Sequence, residues 1–117
     1  MNTPACLTDA SVTYGNDCTD LDDWQKYANP WTITLTTEHG TESFSYWTGS
    51  ARTDEPTIPD VIHSLVLDAQ MLEQEPEHFN YVLGKKVEAN NEKLAKLFGT
   101  YWLTLKEMNE EEIDEVF

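Results

Sequence analysis

Basic residues are scarce in this sequence. Seven lysines and arginines stand against 22 aspartates and glutamates, which gives a formal net charge of −15. Contacts to phosphate depend on lysine and arginine, so the composition disfavours direct binding to nucleic acid and to an anionic membrane surface. It favours a basic partner. The alternative is that the charge serves solubility alone, because charge informs about association and not about fold.

Cysteines and long apolar runs are scarce as well. No run approaches the length of a membrane span, and the opening stretch "MNTPACLTDASV" is polar and lacks the basic start of a secretory signal. We therefore expect a cytoplasmic protein. Cys6 and Cys18 are then expected to be two thiols and not a disulfide. Their spacing, with no histidine nearby, does not fit a zinc site.

Motifs of catalysis and metal binding are also missing. His39, His63 and His78 do not stand at the spacing of a zinc-binding helix. "DLDD" at residues 20–23 lacks the glycine and the alternating oxygen ligands of a calcium loop. "TGSA" at residues 48–51 lacks the lysine of a phosphate-binding loop. We expect a protein that is not an enzyme, with no catalytic residue, no metal site and no cofactor.

The apolar content is sufficient for a folded protein. Of the 117 residues, 39% are hydrophobic and 11% are aromatic, which suits one domain with its own core. We predict a single domain over residues 1–117. Its N-terminal arm, about residues 1–18, is predicted to be irregular, and an acidic segment at residues 109–117 ends the chain.

The clearest local pattern is "WTITLTTEHGTESFSYW" at residues 31–47. Apolar side chains alternate with threonine and serine on both sides of a turn that contains glycine. This period of two predicts a β-hairpin with one apolar face. A lone hairpin is marginal in water, so helices must cover that face.

Helical patterns follow the hairpin. Thr57 is the predicted N-cap of a helix that continues to about Leu72. A short helix is predicted over residues 77–84, closed by Gly84, and the longest helix over residues 90–108, with Gly99 inside it. Another short helix is predicted at residues 19–28. The fold class is therefore α+β: an antiparallel hairpin, with or without a third strand from the N-terminal arm, packed against about three helices.

The two periodicities also predict the core. Its members are the inward positions of the hairpin and the apolar stripes of the helices. They are Trp31, Ile33, Leu35, Phe44, Tyr46, Ile62, Leu65, Leu94, Phe98, Tyr101 and Leu105.

One larger motif joins the hairpin to the helix after it. A Trp-led strand is followed by the loop "TGSAR" (residues 48–52) and then by "PTIPDVIHSLVLDA" (residues 56–69). This arrangement resembles a widespread family of small phage and prophage proteins. The matching residues are Trp31, Gly49, Ser50, Arg52, Pro56, Thr57, Asp60, Val61, Leu65, Asp68 and Ala69. The family pattern usually has tryptophan at Tyr81 and "FGYD" where this chain has "LGKK". The resemblance implies a non-enzymatic accessory or anti-defence protein of the anti-CRISPR kind, acting in the cytoplasm of a bacterial host.

The loop at Arg52 has two interpretations. Arg52 either pairs with Asp54, Glu55 or Asp60 and fixes the loop on the helix, or it forms with Trp47 a contact point on a partner, since loops on rigid elements often hold function. We favour the first interpretation.

Acidic residues are predicted to make most of the partner contact. Three groups could form one surface: carboxylates before residue 24, carboxylates along the helix that begins at Thr57, and the terminal segment. In "NEEEIDEVF", Ile113, Val116 and Phe117 share one helical face, which predicts a short docked helix rather than a solvated tail. The candidate partner-binding residues are Asp20, Asp22, Asp23, Trp47, Arg52, Asp54, Glu55, Asp68, Glu73, Glu75, Glu110, Glu111, Glu112 and Asp114.

The leading functional hypothesis joins these features. A phage-encoded acidic protein would bind and inhibit a basic, nucleic-acid-binding host protein, such as a CRISPR effector, with its carboxylates standing in for phosphates. The alternative is a structural or assembly accessory that homo-oligomerises, for instance as a homodimer, through exposed aromatic side chains.

Overall fold

A computed structural model describes residues 7–18, 23 and 25–117 of the chain. Its sheet has three antiparallel strands, β1 (Asp9–Tyr14), β2 (Asn29–Thr37) and β3 (Gly40–Thr48), in the order β1-β2-β3. The predicted hairpin is present as β2 and β3, in a register that pairs Ile33 with Phe44. Gly40 closes the hairpin turn with φ of +135°, a conformation that side chains rarely tolerate.

The N-terminal arm differs from the prediction. Residues 9–14 are not irregular but form β1, which pairs with β2 through a register that sets Val12 opposite Ile33. The alternating Val12 and Tyr14 lie on the same side of the sheet as Trp31, and the rings of Tyr14 and Trp31 meet edge to face at 5.2 Å. The third strand that the sequence left open is therefore present.

Four α-helices follow the sheet. They are α1 (Ile58–Gln74), α2 (Tyr81–Phe98), α3 (Tyr101–Leu105) and α4 (Glu110–Val116), and single 3₁₀ turns lie at Gln25–Tyr27 and Pro76–His78. Thr57 is the N-cap of α1, as predicted, and its hydroxyl oxygen accepts from the Asp60 N–H at 3.2 Å. Half of the helix predicted at residues 19–28 lies outside the described residues, and the described half contains the 3₁₀ turn Gln25–Tyr27 and no α-helix.

Two predicted helix boundaries, at Gly84 and around Gly99, are wrong. The sequence predicts a helix end at Gly84 and a helix interior at Gly99, whereas α2 begins after the Asn80 cap, passes through Gly84 and ends at the Gly99 cap. The Asn80 side chain accepts from the Leu83 N–H at 2.8 Å, and Gly99 has φ of +59°. The cap at Asn80 and the positive φ of Gly99, which glycine adopts without strain, therefore decide the bounds.

The core lies between the inner face of the sheet and the helices. All of the predicted core residues belong to it, with Tyr46 and Tyr101 partly buried at its margin. Trp102 and Ile113 are also buried there. Within the described part of the chain, no helix is long and apolar enough to cross a membrane.

Candidate functional site

Helix α4 is held at its start by a reciprocal cap. The Asn109 side chain accepts from the Glu112 N–H at 2.9 Å, and the Glu112 carboxylate accepts from the Asn109 N–H at 3.1 Å. This capping box satisfies two N–H groups that a short helix would otherwise leave open. It also gives Glu112 a structural role that the sequence prediction did not assign to it.

The apolar side of α4 docks on the core. Ile113 is fully buried, Val116 and Phe117 pack against the core cluster, and the Phe117 ring lies 6.0 Å from the Phe98 ring in an edge-to-face contact. The prediction of a docked terminal helix is confirmed. Docking fixes which way the other side chains of α4 point.

Those other side chains are all carboxylates. Glu110, Glu111, Glu112, Asp114 and Glu115 are exposed. Among the described residues, the one basic side chain within 4 Å of an α4 carboxylate is His63 of α1, whose Nδ1 lies 3.4 Å from the Glu110 carboxylate. No described lysine or arginine reaches this helix. We call these five residues the α4 acidic face.

The acids near the end of α1 are partly neutralised. Glu73 pairs with Lys106 Nζ at 2.8 Å, and the Gln70 side chain donates to the Lys106 carbonyl. Glu75 follows α1 and is exposed. Because Lys106 directly follows α3, these contacts fasten the segment that leads into α4 to the flank of α1 that also carries His63.

Asp68 lies on the other flank of α1. Five residues separate it from His63, which corresponds to roughly 140° around the helix axis. Asp68 therefore lies on a different side of α1 from His63, the residue that contacts the α4 acidic face. The spacing of His63 and Asp68 can be read from the sequence, but the packing of α4 beside His63 cannot, because it depends on how the helices are arranged on the sheet.

Asp68 faces a cleft of about 790 Å³ between α1, α2 and the end of β3. Asp17, Tyr46, Trp47, Phe79 and Lys86 also line it. Burial raises the pKa of the Asp68 carboxyl, and the neighbouring His78 partly offsets the rise. Burial, followed by the charge of Asp60, raises the pKa of Tyr46. The cleft was missed from the sequence, since its wall joins elements distant along the chain.

The Arg52 loop is fixed as the favoured interpretation requires. An Arg52 guanidinium nitrogen lies 3.3 Å from the Asp60 carboxylate. The Arg52 carbonyl accepts from the Thr48 hydroxyl at 2.8 Å and from the Asn29 amide at 2.9 Å. Asp54 and Glu55 are exposed beside it. The role of Arg52 and Trp47 as a partner contact stays a prediction.

Only part of the first acidic group, the carboxylates before residue 24, lies within the described residues. Asp20 and Asp22 lie outside the described residues. Asp23 is exposed and pairs with Lys26 at 3.6 Å, so its charge is locally offset.

Comparisons of the chain with protein-family models, curated proteins and solved structures gave no match. The resemblance to small phage proteins therefore stays a prediction from the quoted motif. Within the described residues, no group of three histidine, cysteine, aspartate or glutamate side chains is placed to hold a metal ion. The feature with the plainest chemistry is the α4 acidic face, which can attract cationic groups.

Proposed function

We propose that this chain is a non-enzymatic binding protein that takes a basic partner protein on the α4 acidic face. The observation that carries the proposal is the docking of α4 through Ile113 and Phe117. A solvated tail would hold its charges at variable positions. A docked helix holds them on one fixed surface, so a partner does not have to order them on binding.

The spacing of the carboxylates favours a partner that normally binds nucleic acid. Glu111 and Glu115 lie one turn apart on the side of α4 opposite Ile113, about 6 Å along the axis. Duplex DNA has one phosphate per ~3.4 Å on each strand. The two charge densities agree within a factor of about two, so a lysine- and arginine-lined groove can accept either.

Inhibition would follow from occupancy. A nucleic-acid groove filled by the α4 acidic face is closed to its own substrate while the complex lasts. The resemblance to small phage proteins favours a bacterial defence nuclease, such as a CRISPR effector, as the partner. The protein itself needs no cofactor and no catalytic group for this role.

The test begins with capture of partners from bacterial lysate on the immobilised chain, followed by mass spectrometry and binding measurements with the purified partner. We expect a basic protein whose binding is competed by duplex DNA. We expect the affinity to fall as NaCl rises from about 0.05 M to about 0.5 M, because screening weakens exposed charge pairs.

Two matched variants locate the contact. Neutralising Glu111, Asp114 and Glu115 to their amides leaves the capping box and the His63 contact in place. It should weaken binding about tenfold at low salt. Neutralising Glu38, Glu88 and Glu92 makes the same change in net charge, but in the hairpin turn and on α2. This control variant should have little effect on partner binding. Equal losses in both variants would show that only net charge matters, and unchanged binding in the first would refute the α4 site.

A further inference from the structure

The backbone of β1 presents unpaired hydrogen-bonding groups. The Gly15 N–H donates to the Pro30 carbonyl at 2.8 Å, so these two residues form a hydrogen-bonded pair. Asp9, Ser11 and Thr13 lie an even number of residues before Gly15 and are therefore hydrogen-bonded to β2 in the same way. In an antiparallel ladder, hydrogen-bonded and non-bonded pairs alternate. The N–H and C=O groups of Ala10, Val12 and Tyr14 therefore point away from β2, toward the free edge of the sheet.

The two edges of the sheet differ in one contact. At the β3 edge, Lys93 Nζ of α2 donates to the outward carbonyl of Ser43 at 2.7 Å. At the β1 edge, no described residue bonds the outward groups of Ala10, Val12 or Tyr14. The strand also lacks lysine and proline, which commonly protect edge strands.

We propose that β1 pairs antiparallel with β1 of a second copy of the chain, about a two-fold axis at Val12. In that register Val12 meets its own counterpart, and Ala10 meets Tyr14 of the partner. These are the residues whose backbone groups point outward, so the three pairs, Ala10 with Tyr14, Val12 with Val12 and Tyr14 with Ala10, are hydrogen-bonded and form about six bonds. The two sheets become one continuous sheet of six strands.

The side chains suit this register. The Tyr14 ring, which is 63% exposed, lies beside the small Ala10 of the partner. On the opposite face Ser11 lies across from Thr13, in the same manner as the Thr34–Ser43 and Thr36–Thr41 hydroxyl pairs already present between β2 and β3. Asp9, the one charged residue of the strand, faces Gly15, so the register sets no like charges opposite each other.

Charge decides between a second copy and a basic strand at this edge. From Ala10 to Tyr14 the strand carries no carboxylate, so it offers a basic segment no specific attraction. Each copy carries −15, and the long-range repulsion between copies is screened by salt. Dimerisation should therefore strengthen as salt rises, whereas binding of the basic partner in the proposed function should weaken. A dimer that does not strengthen with salt would contradict the β1 proposal alone, and partner binding that does not weaken with salt would contradict the proposed function alone.

Strand pairing alone buries less than the roughly 1,200–2,000 Å² of a stable interface, so the dimer is expected to be weak. Sedimentation velocity over about a hundredfold range of protein concentration should show a reversible shift toward twice the monomer mass of 13.4 kDa, larger at high salt. Ala10→Pro removes an outward N–H and leaves the β1–β2 ladder intact, so it should abolish the shift. Ser45→Pro makes the same change at the β3 edge and should not.

Amide hydrogen exchange on the unaltered chain tests the register without any variant. Protection of Ala10, Val12 and Tyr14 should rise with protein concentration, while Ser11 and Thr13 stay protected throughout by β2. The proposal is overturned if the protein is monomeric at every concentration and salt, or if the dimer survives Ala10→Pro. It is also overturned if Ser45→Pro alone breaks the dimer, or if only a basic peptide protects these amides.

Discussion

Leu65 shows how one side chain links the helix layer to the sheet. It lies in the middle of α1, is only 5% exposed and belongs to the core cluster with Ile33 and Phe44. Leu65→Ala removes buried methyl groups and leaves a cavity that the surrounding core fills only in part. We expect the free energy of unfolding to fall by ~2–5 kcal/mol, measured by urea denaturation. A change within about 0.5 kcal/mol, as at surface positions, would contradict the assignment of Leu65 to the core.

Asp68 should make stability depend on pH in an unusual direction. Burial raises its folded-state pKa above the ordinary value of 3.8, so between the two pKa values the folded state binds more protons than the unfolded chain. The free energy of unfolding therefore falls as pH rises through that window. The loss is absent below the unfolded pKa and complete above the folded pKa.

The measurement compares Asp68→Asn with the unaltered chain by urea denaturation at several pH values. The variant should be the more stable protein at neutral pH, and the difference should shrink as pH falls. Asp54→Asn is the control, because removing an exposed carboxylate from a chain of −15 reports the general relief of repulsion. Equal effects of the two substitutions at every pH would mean that burial of Asp68 does not raise its pKa in the folded state.

At the level of elements, the two glycines of the α2 region give opposite predictions. Gly84 lies inside α2, where an added Cβ would meet the Phe79 Cβ at an ordinary 3.9 Å, whereas Gly99 ends the helix at φ of +59°. Gly84→Ala should raise the free energy of unfolding by ~0.5–1 kcal/mol, because alanine is the better helix former. Gly99→Ala should lower it by about 1 kcal/mol or more, since alanine is strained there. Reversed signs, measured by urea denaturation, would support the sequence-based boundaries.

The docking of α4 is tested by its apolar side. Val116→Ala with Phe117→Ala removes contacts with the core and with the Phe98 ring, and should lower the free energy of unfolding by ~1–3 kcal/mol. Asn109→Ala, which breaks the capping box, should lower it by ~0.5–2 kcal/mol. Deletion after Met108 with no effect on stability would show that the segment does not dock.

These elements also show what the sequence could reveal. The hairpin was predictable because its alternation extends over both strands, and α4 because three apolar residues recur at helical spacing in an otherwise acidic segment. The bounds of α2 were not, since Gly84 and Gly99 look alike until the backbone angle at each is known. The cleft at Asp68 and the flank that carries His63 depend on how helices cross the sheet, which no local pattern encodes.

For the whole molecule, charge repulsion competes with individual ion pairs. Salt weakens exposed ion pairs such as Lys96–Glu42, at 2.7 Å, which contribute little to stability at the surface. It also weakens the mutual repulsion of 22 carboxylates opposed by only seven cations, and that repulsion is greatest in the compact state. Repulsion should dominate, so the free energy of unfolding in urea should rise as NaCl increases to about 0.5 M.

The α4 acidic face should account for part of that rise. Neutralising Glu111, Asp114 and Glu115 should give a protein that is more stable at low salt and gains less from added NaCl. A free energy of unfolding that falls with salt would mean that paired charges outweigh the repulsion. The expected direction also sharpens the functional test. If salt stabilises the fold while it weakens binding to a basic partner, the lost binding comes from the screened contact and not from unfolding of the protein that makes it.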